Sequence, residues 1–371
     1  EAQMNKVSLV SNIKELLAFD WPQFKPIYDD LEKTELSKKN IKDWLKNWTA
    51  IGDIRDELYN RLFVATSINT ADPVAQDRFE NFMNEIFPNA MAAEQRLKKK
   101  LLASGLTIPG LEIPLRNMRA QSELFREKNL KLFVEEEKLG NLHDQVMGAQ
   151  SVKWQGEEKT VRQMEAVLRN TNREVRKAGW EMMSATQLVD RHTINEQWVK
   201  YISVREKIAM NAGFSDYRSY RWKELLRFDY TPEDCKSFHK AIEETVVPAT
   251  MRLAARRKKA LGIDSLRYYD LFVDLSGKPP LTPFTTVREM KKKISTIFHH
   301  VLPQFGKYFD QMEEEGLLDL ENRKNKAVGG YCTDFSYSKR PFIFANTIGI
   351  HDDIQTLLHE GGHAFHAFES F

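Results

Sequence analysis

Apolar side chains return every three or four residues along most of this chain, and that rhythm predicts a mainly helical fold. From Ile41 the positions Ile41, Trp44, Leu45, Trp48, Ile51, Leu58 and Leu62 follow a 3.6-residue period. Asp72-Pro73 and Thr231-Pro232-Glu233-Asp234 each set an N-cap before a proline at the first helical position. Behind Asp72, Phe79, Met83 and Ile86 share a face, and Pro88 is expected to kink or end that helix. Ala90 to Leu102 resumes the pattern until Gly105, and a further helix is expected from about Pro114 to Leu139, closed by Gly140-Asn141. Val152-Lys153-Trp154 followed by Gln155-Gly156-Glu157-Glu158 predicts a small hairpin. Helices then run from Val161 to Ala212, with breaks near Thr171 and Asn195. Others run from Thr231 past Pro248 to Leu261, and from Val287 to Gly306. Gly329-Gly330-Tyr331 opens an extended region, and Pro341 to Asn346 is the best strand candidate. Three regions follow: helical 1–150, helical 151–265, and 266–371 carrying the site described next, with the aromatic, turn-rich stretch Leu266 to Phe284 at the transition.

That site is His359-Glu360-Gly361-Gly362-His363, the HExxH pattern of zinc peptidases. On a helix, residues i and i+4 lie one above the other, so two imidazoles can meet one Zn²⁺ at roughly 2.0–2.1 Å each. Glu360 lies one step round, where its carboxylate can take a proton from a water that the metal activates. A catalytic zinc takes three protein ligands, and no obvious third follows here. His366 is seven residues from His359, about 10.5 Å along a helix, and reads as a supporting or packing residue. Glu369 would point away from His363 in a continuous helix. The adjacent glycines Gly361 and Gly362 cost helix stability, roughly 1 kcal/mol each, which implies close packing by a neighbour or a face turned to substrate. Asp352 and Asp353, beside His351, are expected to cap the helix. His143, His192, His239, His299 and His300 read as ordinary surface or packed histidines, and Cys332 as a small buried residue.

Composition removes several other classes. Lys and Arg balance Asp and Glu to a net charge of +2 over 371 residues, which argues against a dominant nucleic-acid surface. The basic runs Lys98-Lys99-Lys100, Arg256-Arg257-Lys258-Lys259 and Lys291-Lys292-Lys293 lie in helical patterns and read as solvated faces. Two cysteines, Cys235 and Cys332, make no disulfide framework and no zinc ribbon. No run of eighteen apolar residues calls for a membrane span, and no basic-then-apolar leader opens the chain. A cytoplasmic setting is expected. No G-x-S-x-G elbow offers a serine nucleophile.

The stretches Gly329-Gly330-Tyr331-Cys332, Arg340-Pro341-Phe342-Ile343-Phe344-Ala345-Asn346, Asp352-Asp353-Ile354 and His359-Glu360-Gly361-Gly362-His363-Ala364-Phe365-His366 resemble the family of thimet oligopeptidase and oligoendopeptidase F, most of all its oligoendopeptidase F branch. Weaker likeness extends upstream through Val152 to Glu158, Arg205 to Phe214, Arg227 to Thr231 and Leu266 to Asp270. The resemblance implies a mainly α, zincin-type peptidase with a small β element beside the HExxH helix and two lobes around a deep channel. It implies a zinc-dependent endopeptidase cleaving short unstructured peptides. His359 and His363 match its metal ligands, and Glu360 its general base. Phe342, Ile343, Phe344, Ala345 and Asn346 match an edge strand that pairs with substrate backbone. In the family a glutamate some tens of residues further on completes the zinc site, and tyrosine and histidine residues beyond it stabilise the oxyanion. None of those positions lies in this sequence. The chain is therefore expected to be a fragment, with a separate C-terminal piece as a candidate partner.

Two other readings compete: a helical peptide-binding or scaffold protein with a vestigial zinc site, and a zinc hydrolase acting on small amides rather than peptides.

Overall fold

A computed structural model describes residues 12–106 and 108–371. Helices dominate it, with one three-stranded sheet and one hairpin among the described residues. The first core forms where the helices Trp21–Lys33, Ile41–Ile68 and Phe87–Ala103 meet. Its buried residues include Ile41, Trp44, Trp48, Ile51, Leu58 and Leu62, the face set by the 3.6-residue period, with Leu45 packed at its margin. The caps also form as expected. Asp72 accepts from the N–H groups of Val74 and Ala75, while Thr231 and Asp234 cap each other reciprocally.

Proline is absorbed where the sequence suggests a break. Phe82–Ile86 forms a π-turn just before Pro88, and the path continues as Phe87–Ala103. The same device recurs at Ile242–Val246, before Pro248. A wider turn takes up the hydrogen bond that proline cannot donate. Three expected boundaries move for other reasons. Gly140-Asn141 does not close a helix; it lies inside Leu130–Ala149, and the break falls at Phe125-Arg126. Asn195 lies within Arg191–Asn211, the chain turning instead at Asp190. The expected helix from Val287 to Gly306 is two, Val287–Val301 and Pro303–Glu314, hinged at Leu302. The two pack as a hairpin whose closest approach is Gly306. A Cβ there would lie 2.2 Å from the His299 ring, whose Nε2 meets Asp310 Oδ2 at 2.8 Å.

The hairpin β1 (Ser151–Trp154) and β2 (Glu157–Thr160) turns at Gln155 and Gly156, with φ of 51° and 89°. Positive φ at both central residues is the two-residue hairpin geometry, and glycine makes the second position cheap. The sheet comprises β3 (Leu318–Glu321), β4 (Tyr331–Phe335) and β5 (Arg340–Thr347) in the order β3-β5-β4. β5 pairs parallel to β3 and antiparallel to β4. The predicted strand thus forms, but at the centre. Phe342, Ile343, Phe344, Ala345 and Asn346 are all buried, and Ile343 and Phe344 pair with both neighbouring strands.

Buried polar groups fasten this sheet. Lys326, fully buried at its side chain, donates to the carbonyls of Asp319, Glu321 and Ala345. Burial pushes its ammonium down to about 8, against the pull of the Asp319 carboxylate. Asn346 donates to the carbonyls of Ala327 and Gly329. Across the turn between β4 and β5, the buried carboxylate of Glu57 accepts from Ser338 N–H and Oγ, both at 2.6 Å, and from Arg61. Removing that acceptor strands a backbone donor and a guanidinium. Glu57→Leu should destabilise the chain by about 2–4 kcal/mol, against about 1 kcal/mol for Ser338→Ala, measured by denaturant unfolding. Equal small losses would show that Glu57 does not anchor the turn.

Candidate metal and substrate site

The last helix, His351–Ser370, carries the HEGGH segment and packs on β5 and β4. Its start is set by Asp353, which is 1% exposed. Asp353 Oδ2 accepts from the N–H groups of Ile348, Gly349 and Ile350 at 2.8, 2.8 and 3.0 Å. Its Oδ1 accepts from Arg162 Nη2 at 3.0 Å, while Arg162 Nε reaches Asn346 O at 3.2 Å. One guanidinium therefore ties the end of β5 to the first turn of the helix. Asp352 meets Arg169 at 2.6 Å at the surface. Of the two acids expected to cap the helix, Asp353 satisfies the backbone ahead of the first turn and Asp352 makes a surface ion pair.

His359 and His363 are exposed one turn apart. Their Nε2 atoms are 3.2 Å apart, with ring planes at 84° and centroids at 4.8 Å. Two nitrogens each about 2.05 Å from a tetrahedral ion lie about 3.3 Å apart, so the donor pair fits one zinc. Without an ion the same spacing serves a hydrogen bond between one protonated and one bare nitrogen. Among the described residues no group of three His, Cys, Asp or Glu side chains converges to hold a metal. Glu360 is 8% exposed and faces a cleft of about 380 Å³, lined also by Gly330, Tyr331, Cys332, Asp334, His363 and His366. Glu369 is remote from this set, accepting from Tyr308 Oη at 2.8 Å. His366 is exposed rather than packed, and it faces Asp334 across the cleft. Partial burial holds the Asp334 carboxyl above its ordinary range, and His366 pulls it back down.

The two glycines differ in what surrounds them, and Gly361 has the close packing that the sequence reading offered as one alternative. A Cβ on Gly361 would sit 2.5 Å from Phe298 Cζ, whereas one on Gly362 would meet nothing within 4 Å. Gly361 lets the helix press onto Phe298, and Gly362 lies on an exposed side of the helix.

The free edge near the metal pair belongs to β4, not β5. Asp334 O accepts from Asn60 Nδ2 at 2.7 Å, so that carbonyl points away from β5. Residues two apart on an antiparallel strand share a direction, so the N–H and C=O of Cys332 also point outward. β4 was legible only as an extended region after Gly329-Gly330. Its alternation is short, and its role depends on pairing with a strand nine residues later. The Cys332 thiol is half-buried in the cleft wall and pushed up to about 12 by burial, with Asp334 and Glu360 adding to the rise.

A helical body and a short sheet with a His-Glu-x-x-His helix packed on it define a zincin-like fold. A profile of peptidase family M3 matches residues 166–370, and the chain belongs to that family. It is 30% identical over 209 residues to the chromosomal oligoendopeptidase F of Lactococcus lactis subsp. cremoris, covering 54% of this chain and 32% of that protein. Against group B oligopeptidase PepB of Streptococcus agalactiae the identity is 27% over 210 residues, again 54% of this chain and 32% of the relative. The solved structure of PZ peptidase A with an inhibitor superposes at a TM-score of 0.86 with 25% identity, covering 97% of this chain and 63% of that one. A Bacillus anthracis protein assigned to oligoendopeptidase F gives the same TM-score at 24% identity, covering 97% and 66%, a likeness of fold. The chain thus spans about a third of the length of these curated relatives.

Two measurements check the site's architecture. Gly361→Ala should cost about 1–3 kcal/mol through its clash with Phe298, while Gly362→Ala should gain about 0.5–1 kcal/mol. Thermal unfolding that moves both the same way would contradict the assignment. At pH 8, iodoacetamide should modify Cys332 at least about tenfold more slowly than an ordinary exposed thiol; equal rates would show an ionised, open Cys332.

Proposed function

We propose that this chain carries the metal-binding half of a zinc-dependent endopeptidase that acts on short unstructured peptides. The observation that carries the reading is the pair of imidazole nitrogens 3.2 Å apart, with the nine-tenths-buried Glu360 between them in sequence and facing the cleft that His363 also lines. His359 and His363 would hold the zinc, with a third donor supplied from outside the described residues. Bound zinc supplies Lewis acidity, polarising the scissile carbonyl and acidifying water. The chain's own groups do the rest. Glu360 stands as the base, taking a proton from water on its carboxylate and passing it to the leaving amine. Cys332 offers its outward N–H and C=O to the substrate backbone, so the peptide adds as a strand along β4. This replaces the pairing expected along Phe342 to Asn346, whose backbone is paired on both sides at Ile343 and Phe344.

The family relationship supports a peptidase over a scaffold with a vestigial metal site, and the open strand edge favours a peptide over a small amide. Two thiols and no disulfide suit a reducing compartment. Among the described residues no helix is long and apolar enough to cross a membrane.

In the assembled enzyme, Glu360→Gln should keep its zinc and lose at least about a hundredfold in kcat/KM on a quenched peptide. His363→Ala should lose the zinc itself, read by metal analysis after dialysis. Undiminished turnover in Glu360→Gln would remove that carboxylate from the chemistry. Cleavage confined to single-residue amides would exclude the endopeptidase reading.

A further inference from the structure

A hollow of about 490 Å³ lies between the helices Tyr217–Glu224 and Pro232–Ala241 and shares no lining residue with the metal cleft. The turn that joins the two helices is strained. Leu226 has a φ of 57°, a left-handed conformation that a bulky side chain rarely adopts. Backbone strain of this kind clusters at ligand sites. It turns the chain so that Arg227 lies back over the first helix. The Arg227 N–H donates to Trp222 O at 3.3 Å. Its guanidinium stands 4.8 Å from the Trp222 ring and 5.9 Å from the Tyr230 ring. Trp222 is held in turn by its Nε1, which donates to Tyr230 O at 3.1 Å.

The charge in this hollow is one-sided. Arg218, Arg221, Arg227 and Lys236 line it with His239, and among the described residues no carboxylate does. Arg221 is answered by Glu224, and Lys236 by Glu233. The acids that open the two helices act as caps: Asp216 accepts from the Ser219 N–H, and Asp234 from the Thr231 N–H. Among the described residues the guanidiniums of Arg218 and Arg227 have neither a hydrogen bond nor an ion pair. Stacking on aromatic rings orients Arg227 and leaves its five N–H donors without acceptors. Two unanswered positive charges therefore share one space, where an anion would relieve their repulsion.

We propose that this hollow binds a phosphoryl group, held by Arg227 and Arg218 with His239 beside them. A lone carboxylate brings one charge and two acceptor oxygens, and would leave one guanidinium unanswered. A phosphoryl group brings about −1.5 to −2 charges at pH 7 and three acceptor oxygens, which matches the surplus. The planar fork of arginine suits that geometry better than the ammonium of lysine. The volume falls within the roughly 300–1,000 Å³ of small-molecule sites and admits inorganic phosphate or a small phosphate ester. The inference is independent of the peptidase reading, since none of these residues belongs to the metal cleft.

Isothermal titration calorimetry on the full chain tests this, with inorganic phosphate, glycerol 3-phosphate and acetate as probes. One phosphate or one glycerol 3-phosphate should bind per chain, at least about fivefold more tightly than acetate. The tighter of the two names the source, free ion or ester. Arg227→Gln and Arg218→Gln should each weaken binding about tenfold or more. Arg227→Lys keeps the charge, loses the fork and stacks less well; it should weaken binding about three- to tenfold without unfolding the turn. Arg252→Gln, at an exposed arginine outside the hollow, should change nothing. Phosphate binding undiminished in Arg227→Gln and Arg218→Gln would put the anion elsewhere, such as at a metal, and would overturn the site. So would acetate binding as tightly as phosphate, or an equal loss in Arg252→Gln, which would show a general effect of net charge.

Discussion

The candidate site depends on one buried carboxylate. Asp353 gathers three consecutive backbone N–H groups and the Arg162 guanidinium, and so fixes where the last helix begins. A helix has a rigid rise and rotation per residue, so a fixed first turn also fixes the direction of every later side chain. Six residues on from Asp353 the exposed His359 begins the pair, and His363, one turn later, lines the cleft. Gly361 meanwhile seats the opposite side on Phe298. Arg162 extends the same constraint to β5 through Asn346 O, so strand and helix cannot slide independently.

Much of this was legible in the residues. The face from Ile41 to Leu62, the caps at Asp72 and Thr231, the Gln155-Gly156 turn and the strand at Pro341 to Asn346 are local features with local causes. So is HEGGH, whose spacing alone places two imidazoles on one helical face. What was not legible depends on partners distant in sequence. β5 reads as a strand from its own residues, but only pairing with the short β3 and β4 makes it central. A continuous apolar run marks a strand covered on both faces and does not say which neighbours cover it. Gly140 stays helical because its helix is docked along its length, with Arg205 on Glu136 and Asn129 on Ile208 O. Those contacts outweigh a local cost of about 1 kcal/mol. Asp353 and Arg162 lie 191 residues apart, and no spacing rule joins them.

The outer edge of β4 gives the sheet a second purpose. Its buried face is closed by Lys326 and Asn346, and its outer edge is left open at Cys332. A peptide recognised through its backbone needs such an edge, and specificity then comes from the pockets that alternate side chains enter.

The central claim is that His359 and His363 grip one ion. X-ray absorption at the zinc edge on the purified, zinc-loaded chain measures this most directly. The account predicts one zinc per chain with two imidazole nitrogens at about 2.0–2.1 Å, both lost in a His359→Ala, His363→Ala double variant. Zinc that binds without imidazole ligands, or that remains stoichiometric in the double variant, would contradict it.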